Sequence, residues 1–417
     1  MRKELGRWEK RDITPIGRIT VLKTLILSKI VHVLISLPSP STKTIKEINK
    51  MFFSFLWKNK PDPIKRAVAR EKLINGGLSM IDIDKFNQSL KITWIRKTCI
   101  SNARWKSLIV NKYPMINNIL NFGNEYTNKI LTVVKNPFWK DVMLSLKIFT
   151  ENFNLKTQQE VDACSFLYNG NIKIGRSTIK NKKLIENNVH YIHQLKNGDH
   201  FLSHVDFNDK YGITINFLVY NSIITAIKHY TDKFKNCISN QRFLYQPHFD
   251  LIIGTKKGAS KIYNKLIENP ITITGQNKWC NSIGIIPETW INSFRTLIET
   301  TKETKLHWFQ FRILHSILST NRSVSKYNVE QNDACTFCGV HSETILHLLW
   351  QCDKVQLFWK ELCSILNRRC THARNISFSQ NLVIFGQSDQ IRTDITCKLI
   401  ILMAKFYIYR YKIFPLE

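Results

Sequence analysis

Apolar residues recur at helical spacing close to the start of the chain. Ile19, Leu22, Ile26, Ile30, Val33 and Leu37 are three or four positions apart, which is one face of a helix. Leu37-Pro38-Ser39-Pro40 ends it, because proline removes a backbone donor and restricts the residue before it. A second helix is predicted just beyond, with Thr44 and Glu47 as a capping box and Ile45, Ile48, Phe52 and Phe55 as its apolar stripe. At roughly 100° per residue, Val21, Val31 and Ile35 fall on the side of the first helix away from its stripe, with Arg18, Lys23 and Lys29 flanking it. A helix that is apolar on two sides needs cover on both, either from the rest of this chain or from a domain absent from it.

Downstream, the pattern changes several times. Lys58, Lys60, Lys65, Arg66, Arg70 and Lys72 form a basic run interrupted by Pro61 and Pro63 and closed by Asn75-Gly76-Gly77, so it reads as a loop or ribbon. Helical spacing returns over Phe86–Ile100. Residues 101–300 mix helical stretches with strand-like runs at Asn171–Ile174 and Ile213–Val219, and Lys256–Lys265 reads as a basic loop opening a helix. The last third is helical around a cysteine cluster, and Ile391–Tyr411 reads as an amphipathic terminal helix. The expected fold is mainly α, in three regions. A basic helical region spans 1–100, an α-rich connecting region with minor β spans 101–300, and a helical region with a small zinc knuckle spans 301–417.

Charge changes the picture from architecture to partners. The 417 residues hold 61 Lys+Arg against 31 Asp+Glu, a net charge of +30. That excess favours polyanions over a small neutral substrate. Residues 1–100 carry 21 basic and 8 acidic side chains, so net +13 sits in about a quarter of the chain. Met1-Arg2-Lys3 is followed by further charge and not by a signal-peptide core. The apolar stretches Ile13–Leu37 and Leu399–Phe414 are both broken by charged residues, short of the ~18 uninterrupted apolar residues of a membrane span. A soluble intracellular protein of nucleus or cytoplasm, with no membrane partner, is expected. Cys99, Cys164, Cys237, Cys280, Cys363 and Cys397 each stand alone and read as ordinary buried thiols.

The sharpest chemical pattern is Cys335-Thr336-Phe337-Cys338, then His347, then Cys352. The first pair has the spacing with which two thiolates grip one Zn²⁺ from a tight turn, here ending at Gly339. His347 is expected on a helix over Glu343–Trp350, with Cys352 at its end. Three thiolates and one imidazole complete a tetrahedral structural site without an open position for catalysis. His341 is an alternative ligand, poorer because it lies so near Cys338. The run 58–72 is a candidate phosphate-contacting strip, although a solvated surface is the plain reading of any charge run. Arg312, Arg322 and Lys326 lead into the knuckle and could add backbone contacts. Trp57 is either core or a stacking platform, and core fits better. Catalytic patterns are missing: the chain has no Asp-Asp pair, no G-x-x-x-x-G-K-[ST] loop and no G-x-S-x-G elbow.

Together these residues resemble LINE-type (non-LTR) retrotransposon reverse transcriptases. The run Trp8 to Lys23, containing Arg11-Asp12-Ile13-Thr14-Pro15-Ile16-Gly17-Arg18-Ile19, is similar to the segment after that family's polymerase palm. Phe55-Leu56-Trp57, Gly76-Gly77-Leu78 and Asn87 follow in the family's order. Ser165-Phe166-Leu167-Tyr168-Asn169 resembles its Leu-Trp-x-Asn motif, with Tyr168 in place of the tryptophan. Trp308 to His315, Thr320-Asn321, and Glu343 to Leu348 with Cys352 and Trp359 resemble its zinc-binding region. The resemblance implies that residues 1–100 are a thumb that holds template–primer, and that the last third binds the element's RNA and supports target-primed reverse transcription. It also implies that the endonuclease and palm are lacking, so the family's enzymatic activities do not carry over. The expected protein is a non-catalytic fragment that binds RNA, DNA or both through Arg18, Lys23, Lys29, the 58–72 cations, Arg312, Arg322 and Lys326. One structural zinc is expected, and a palm domain is a partner in the full-length parent. The alternatives are the C-terminal portion of a complete RNA-directed DNA polymerase whose palm is encoded upstream, and a non-functional pseudogene product.

Overall fold

The computed structural model describes residues 2–100, 102–234, 242–254, 258–268, 273–284, 287–328, 330–369, 377–387 and 395–414. Cys237, the first residues of the Lys256–Lys265 loop and Ile391 lie outside them. The fold is mainly α, and the described strands are two short antiparallel pairs, Lys173–Ile174 with Ser177–Thr178 and Lys196–Asn197 with His200–Phe201. The chain groups into two compact units. One comprises Met1–Lys29, Glu47–Ile81 and Asn269–Glu417, and the other Ile30–Lys46 and Asp82–Glu268.

The first long helix, Pro15–Ser36, starts at a Thr14 cap with proline in its first turn and contains a π-helical turn at Leu22–Leu27. That wider turn rotates the faces by one position. Up to Ile26, the expected residues Ile19, Leu22 and Ile26 are buried as the spacing predicts, but from the turn's last residue onward Leu27 and Leu34 take the inward places, while Val33 and Leu37 are exposed. Val21 is buried, and Val31 and Ile35 are half-buried, so this chain covers the helix's second apolar side in part. By length and composition alone this helix could cross a membrane.

In the second unit, buried groups close the C-terminal end of that helix. The Lys91 ammonium donates to the carbonyls of Leu34 (2.8 Å) and Leu37, and Trp94 Nε1 donates to that of Ile35. Burial pushes the Lys91 amine down to about 8. The next helix, Thr42–Leu56, is capped by Ser41 Oγ and not by Thr44. Its expected apolar stripe is buried. The core runs from Ile92 to Leu266. Phe166 and Leu167 lie at its centre, beside Gln246, which accepts from Ser165 N and donates to the carbonyls of Leu120 and Phe122. Ile213–Val219 is not a strand. Its alternating apolar residues lead into the helix Phe217–Thr231, because Asn216 Oδ1 accepts from the N–H groups of Leu218 and Val219.

The first unit carries the cysteine cluster. Its basic segment 58–72 is irregular apart from a short helix, Arg66–Arg70, and it closes tightly at Gly76-Gly77. A side chain at Gly77 would meet the Glu71 carbonyl at 2.0 Å, so only glycine fits. The Gly76 carbonyl accepts from His315 Nε2 at 2.7 Å. His315 is buried against Phe311, Phe294 and Trp290, and burial pushes it down to about 4. Trp57 is core, packed on Trp308. The terminal helix Ile395–Ile413 buries Cys397, Ile401, Leu402, Lys405, Ile408 and Tyr409.

Candidate metal centre

Backbone geometry first brings the two leading cysteines together. Cys335 N donates to the His341 carbonyl (2.8 Å), and Gly339 N donates to the Cys335 carbonyl with Gly339 in the left-handed region at φ 70°. This is the tight turn that the Cys335–Cys338 spacing implies. The other two ligands come from a π-helical turn, His347–Gln351, in which Cys352 N donates to the His347 carbonyl (3.0 Å). At 100° per residue, positions five apart on an α-helix point about 140° away from each other. The wider turn brings His347 and Cys352 to the same side. The helical stretch begins at Ile345, two residues later than the sequence suggests, leaving Glu343 free to turn inward.

The four ligand atoms lie within 4.8 Å of one another. Zn–S bonds of about 2.3 Å and Zn–N of about 2.0–2.1 Å at tetrahedral angles put sulfurs roughly 3.8 Å apart and sulfur and nitrogen roughly 3.6 Å apart. The Cys335 and Cys352 sulfurs are 3.9 Å apart, and Cys338 Sγ lies 3.4 Å from His347 Nε2. The first distance is far beyond a disulfide bond. Cys335, His347 and Cys352 are buried and Cys338 half-buried, so the donor set fits one zinc with all four positions filled by protein. Backbone N–H groups of His341 and Val340, with His347, lower the Cys338 thiol to about 6, which favours the thiolate that a metal needs. Burial pushes Cys335 up to about 11, a bias that a bound divalent cation reverses. His341 is exposed and stands outside the cluster.

A side chain that the sequence marks only as a helix start and part of a resembling segment organises the surroundings. Glu343 has no exposed surface, and its carboxylate accepts from Asn321 N (2.8 Å), Thr336 N (3.0 Å), Thr336 Oγ1 (2.8 Å) and the Lys412 ammonium. Burial works to raise its pKa, but the Lys412 bond and the Thr336 and Asn321 amides outweigh it, so the group is held below its ordinary value. Asn321 Nδ2 also donates to the Ala334 carbonyl and to Thr336 Oγ1. Glu343 thus ties the knuckle turn to the start of the helix Asn321–Ser325 and to the terminal helix. Its partners are remote in sequence, and no local spacing announces them.

The expected basic contacts divide when placed in the structure. Arg18 is fully buried: its guanidinium donates to the carbonyls of Phe55 (2.7 Å), Ile13 and Glu9, so it is a core strut and cannot reach a phosphate. Arg312 is placed less deeply. It is half-buried between the Trp308 and Tyr409 rings, and burial lowers its pKa. Lys23 and Arg70 are half-buried, Arg70 lying over the Phe53 ring and against Asn49. Lys29 pairs with Glu4 (3.1 Å), Lys58 with Asp12 (3.3 Å) and Arg66 with Asp62 (2.7 Å). Lys60, Lys65, Lys72, Arg322 and Lys326 are exposed.

A family model described as zinc-binding in reverse transcriptase matches residues 287–359. The match includes all four ligands and Glu343. The C-terminal region is thus related to reverse transcriptases, and it contains a Cys₃His centre able to hold one zinc ion.

Proposed function

We propose that this chain is a nucleic-acid-binding part of a LINE-type retrotransposon reverse transcriptase, that it holds RNA or template–primer without catalysing its copying, and that it does so inside the cell. The observation that carries this reading is the fitted four-ligand centre within a reverse-transcriptase zinc-binding match, in a chain of net charge +30. Zinc is a folding element here: it cross-links the knuckle turn to the π-helical turn, and its free energy becomes local stability. The exposed cations Lys60, Lys65 and Lys72, together with Lys58 and Arg66, supply phosphate contacts in the first unit, and Arg322 and Lys326 supply others near the knuckle. The absence of adjacent aspartates anywhere in the sequence is why polymerisation is not assigned to this chain. The test is anisotropy of labelled RNA and DNA across a salt series. Duplex affinity should fall with a log–log slope near −0.9 per phosphate neutralised. Absence of binding at low salt, or binding indifferent to salt, refutes the proposal.

A further inference from the structure

A helix facing water is ordinarily polar on that side, yet the outward face of Ile395–Ile413 bears Met403, Tyr407 and Tyr411, one turn apart. Tyr407 is 51% exposed and Tyr411 39%. Their rings are 6.3 Å apart, with planes 33° from parallel. The row extends at both ends: Phe337 lies 6.2 Å from Tyr411 at 24°, and Phe358 lies 6.3 Å from Tyr407 at 20°. Phe337 stands between the ligands Cys335 and Cys338, so the knuckle itself sets one end of the row.

We propose that Phe337, Tyr411, Tyr407 and Phe358 form a platform on which bases of single-stranded nucleic acid stack. This inference rests on the nucleic-acid reading above and names the form of strand taken at this surface. The charge around the row selects the occupant. The terminal helix carries no acid over its length, and Arg410, next in sequence to Tyr411, is its exposed cation, Lys405 being buried and Lys412 paired with Glu343. On the helix Asp353–Arg369, which bears Phe358, Lys354 stands one turn before that ring, and Asp353 and Glu361 are the acids nearby in sequence. Below the row, the Glu343 charge is met by Lys412. Aromatic faces with cations alongside suit a backbone whose bases are unpaired, since every base has a π-face and a duplex keeps its own stacked. A second copy is a poorer occupant, because two chains of +30 repel each other.

The test uses the full zinc-loaded chain with a labelled single strand of about 12 nucleotides containing one 2-aminopurine, and with the matching duplex. The double variant Tyr407→Leu/Tyr411→Leu should bind the single strand roughly 10- to 100-fold more weakly and abolish the 2-aminopurine quenching seen with the unmutated protein. Duplex affinity should stay within about two-fold, since the duplex meets cations and not rings. Tyr407→Phe/Tyr411→Phe should retain full affinity, because the ring and not the hydroxyl is the contact. Tyr327→Leu, at a 91% exposed tyrosine outside the row, should change nothing. Unchanged single-strand binding by the leucine pair, or equal losses on single strand and duplex, overturns the platform and leaves the nucleic-acid reading standing. A change in oligomeric state with unchanged strand binding assigns the row to a second copy and also overturns it. If the unmutated chain binds neither probe at low salt, both the platform and the reading beneath it fall.

Discussion

Replacing Glu343 by glutamine keeps the shape of the side chain and removes its charge. The carboxylate is fully buried and accepts four donors, and the Lys412 side chain opposite is only 10% exposed. Glu343→Gln leaves that ammonium buried without its counter-charge, and breaking a buried pair from one side costs roughly 3–5 kcal/mol. The glutamine oxygen can still accept from Thr336, which recovers about 1 kcal/mol of hydrogen bonding. The expected loss is therefore about 3 kcal/mol. The same change loosens the turn between Cys335 and Cys338, and outer partners of metal ligands are typically worth about 10- to 100-fold in metal affinity. Denaturant unfolding of the zinc-loaded protein, read by tryptophan fluorescence, measures the first effect, and competition with a chromogenic chelator measures the second. Lys412→Met alone should also destabilise, whereas the double variant should recover most of the loss, giving a coupling of at least about 2 kcal/mol. A Glu343→Gln protein within about 0.5 kcal/mol of the parent, with unchanged zinc retention, or a strictly additive double variant, refutes the reasoning.

Metal analysis should give one zinc per chain, and Cys335→Ser should lower that occupancy; a zinc-free unmutated protein would remove the site. His315 is held near 4 against an ordinary value near 6.5, so the unfolded chain binds its proton first as pH falls. Its contribution, about 3 kcal/mol, is whole above pH 6.5 and disappears towards pH 4, and His315→Gln should flatten acid unfolding curves over that window. Lys405, buried and held near 7, works in the alkaline direction: stability should rise from pH 7 to about 10.5, and Lys405→Met should abolish that rise. Gly77→Ala forces a Cβ against the Glu71 carbonyl and should cost about 3 kcal/mol or more, whereas Gly175→Ala, in open space at φ 62°, should cost about 1–2, both by thermal unfolding.

The zinc ligands were legible because metal-binding chemistry imposes a local spacing, and the structure brings together the same four residues that the pattern names. The geometry joining the last two was not, since an offset of five fits no regular α-helical face. The anchoring role of Glu343 was hidden for another reason: its donors come from Asn321, Thr336 and Lys412, and only the fold collects them. Arg18 misled because a basic residue beside an apolar stripe reads as a surface cation, while here the carbonyls of Phe55, Glu9 and Ile13 replace water around it. The run Ile213–Val219 alternates like a strand, and one capping asparagine decides the matter the other way. The helical class itself was plain from spacing, although the contacts divide the first hundred residues between both units.

The π-helical turn at Leu22–Leu27 gives the first long helix one residue more than its buried faces require. Removing a single residue there, such as the exposed Thr24, would let an ordinary helix present Ile19, Leu22, Leu27, Val31 and Leu34 inward at plain three- and four-residue steps. The segment is thus a register buffer, where loss of one codon would be absorbed by the backbone. A codon lost elsewhere in the same helix would turn a buried face outward.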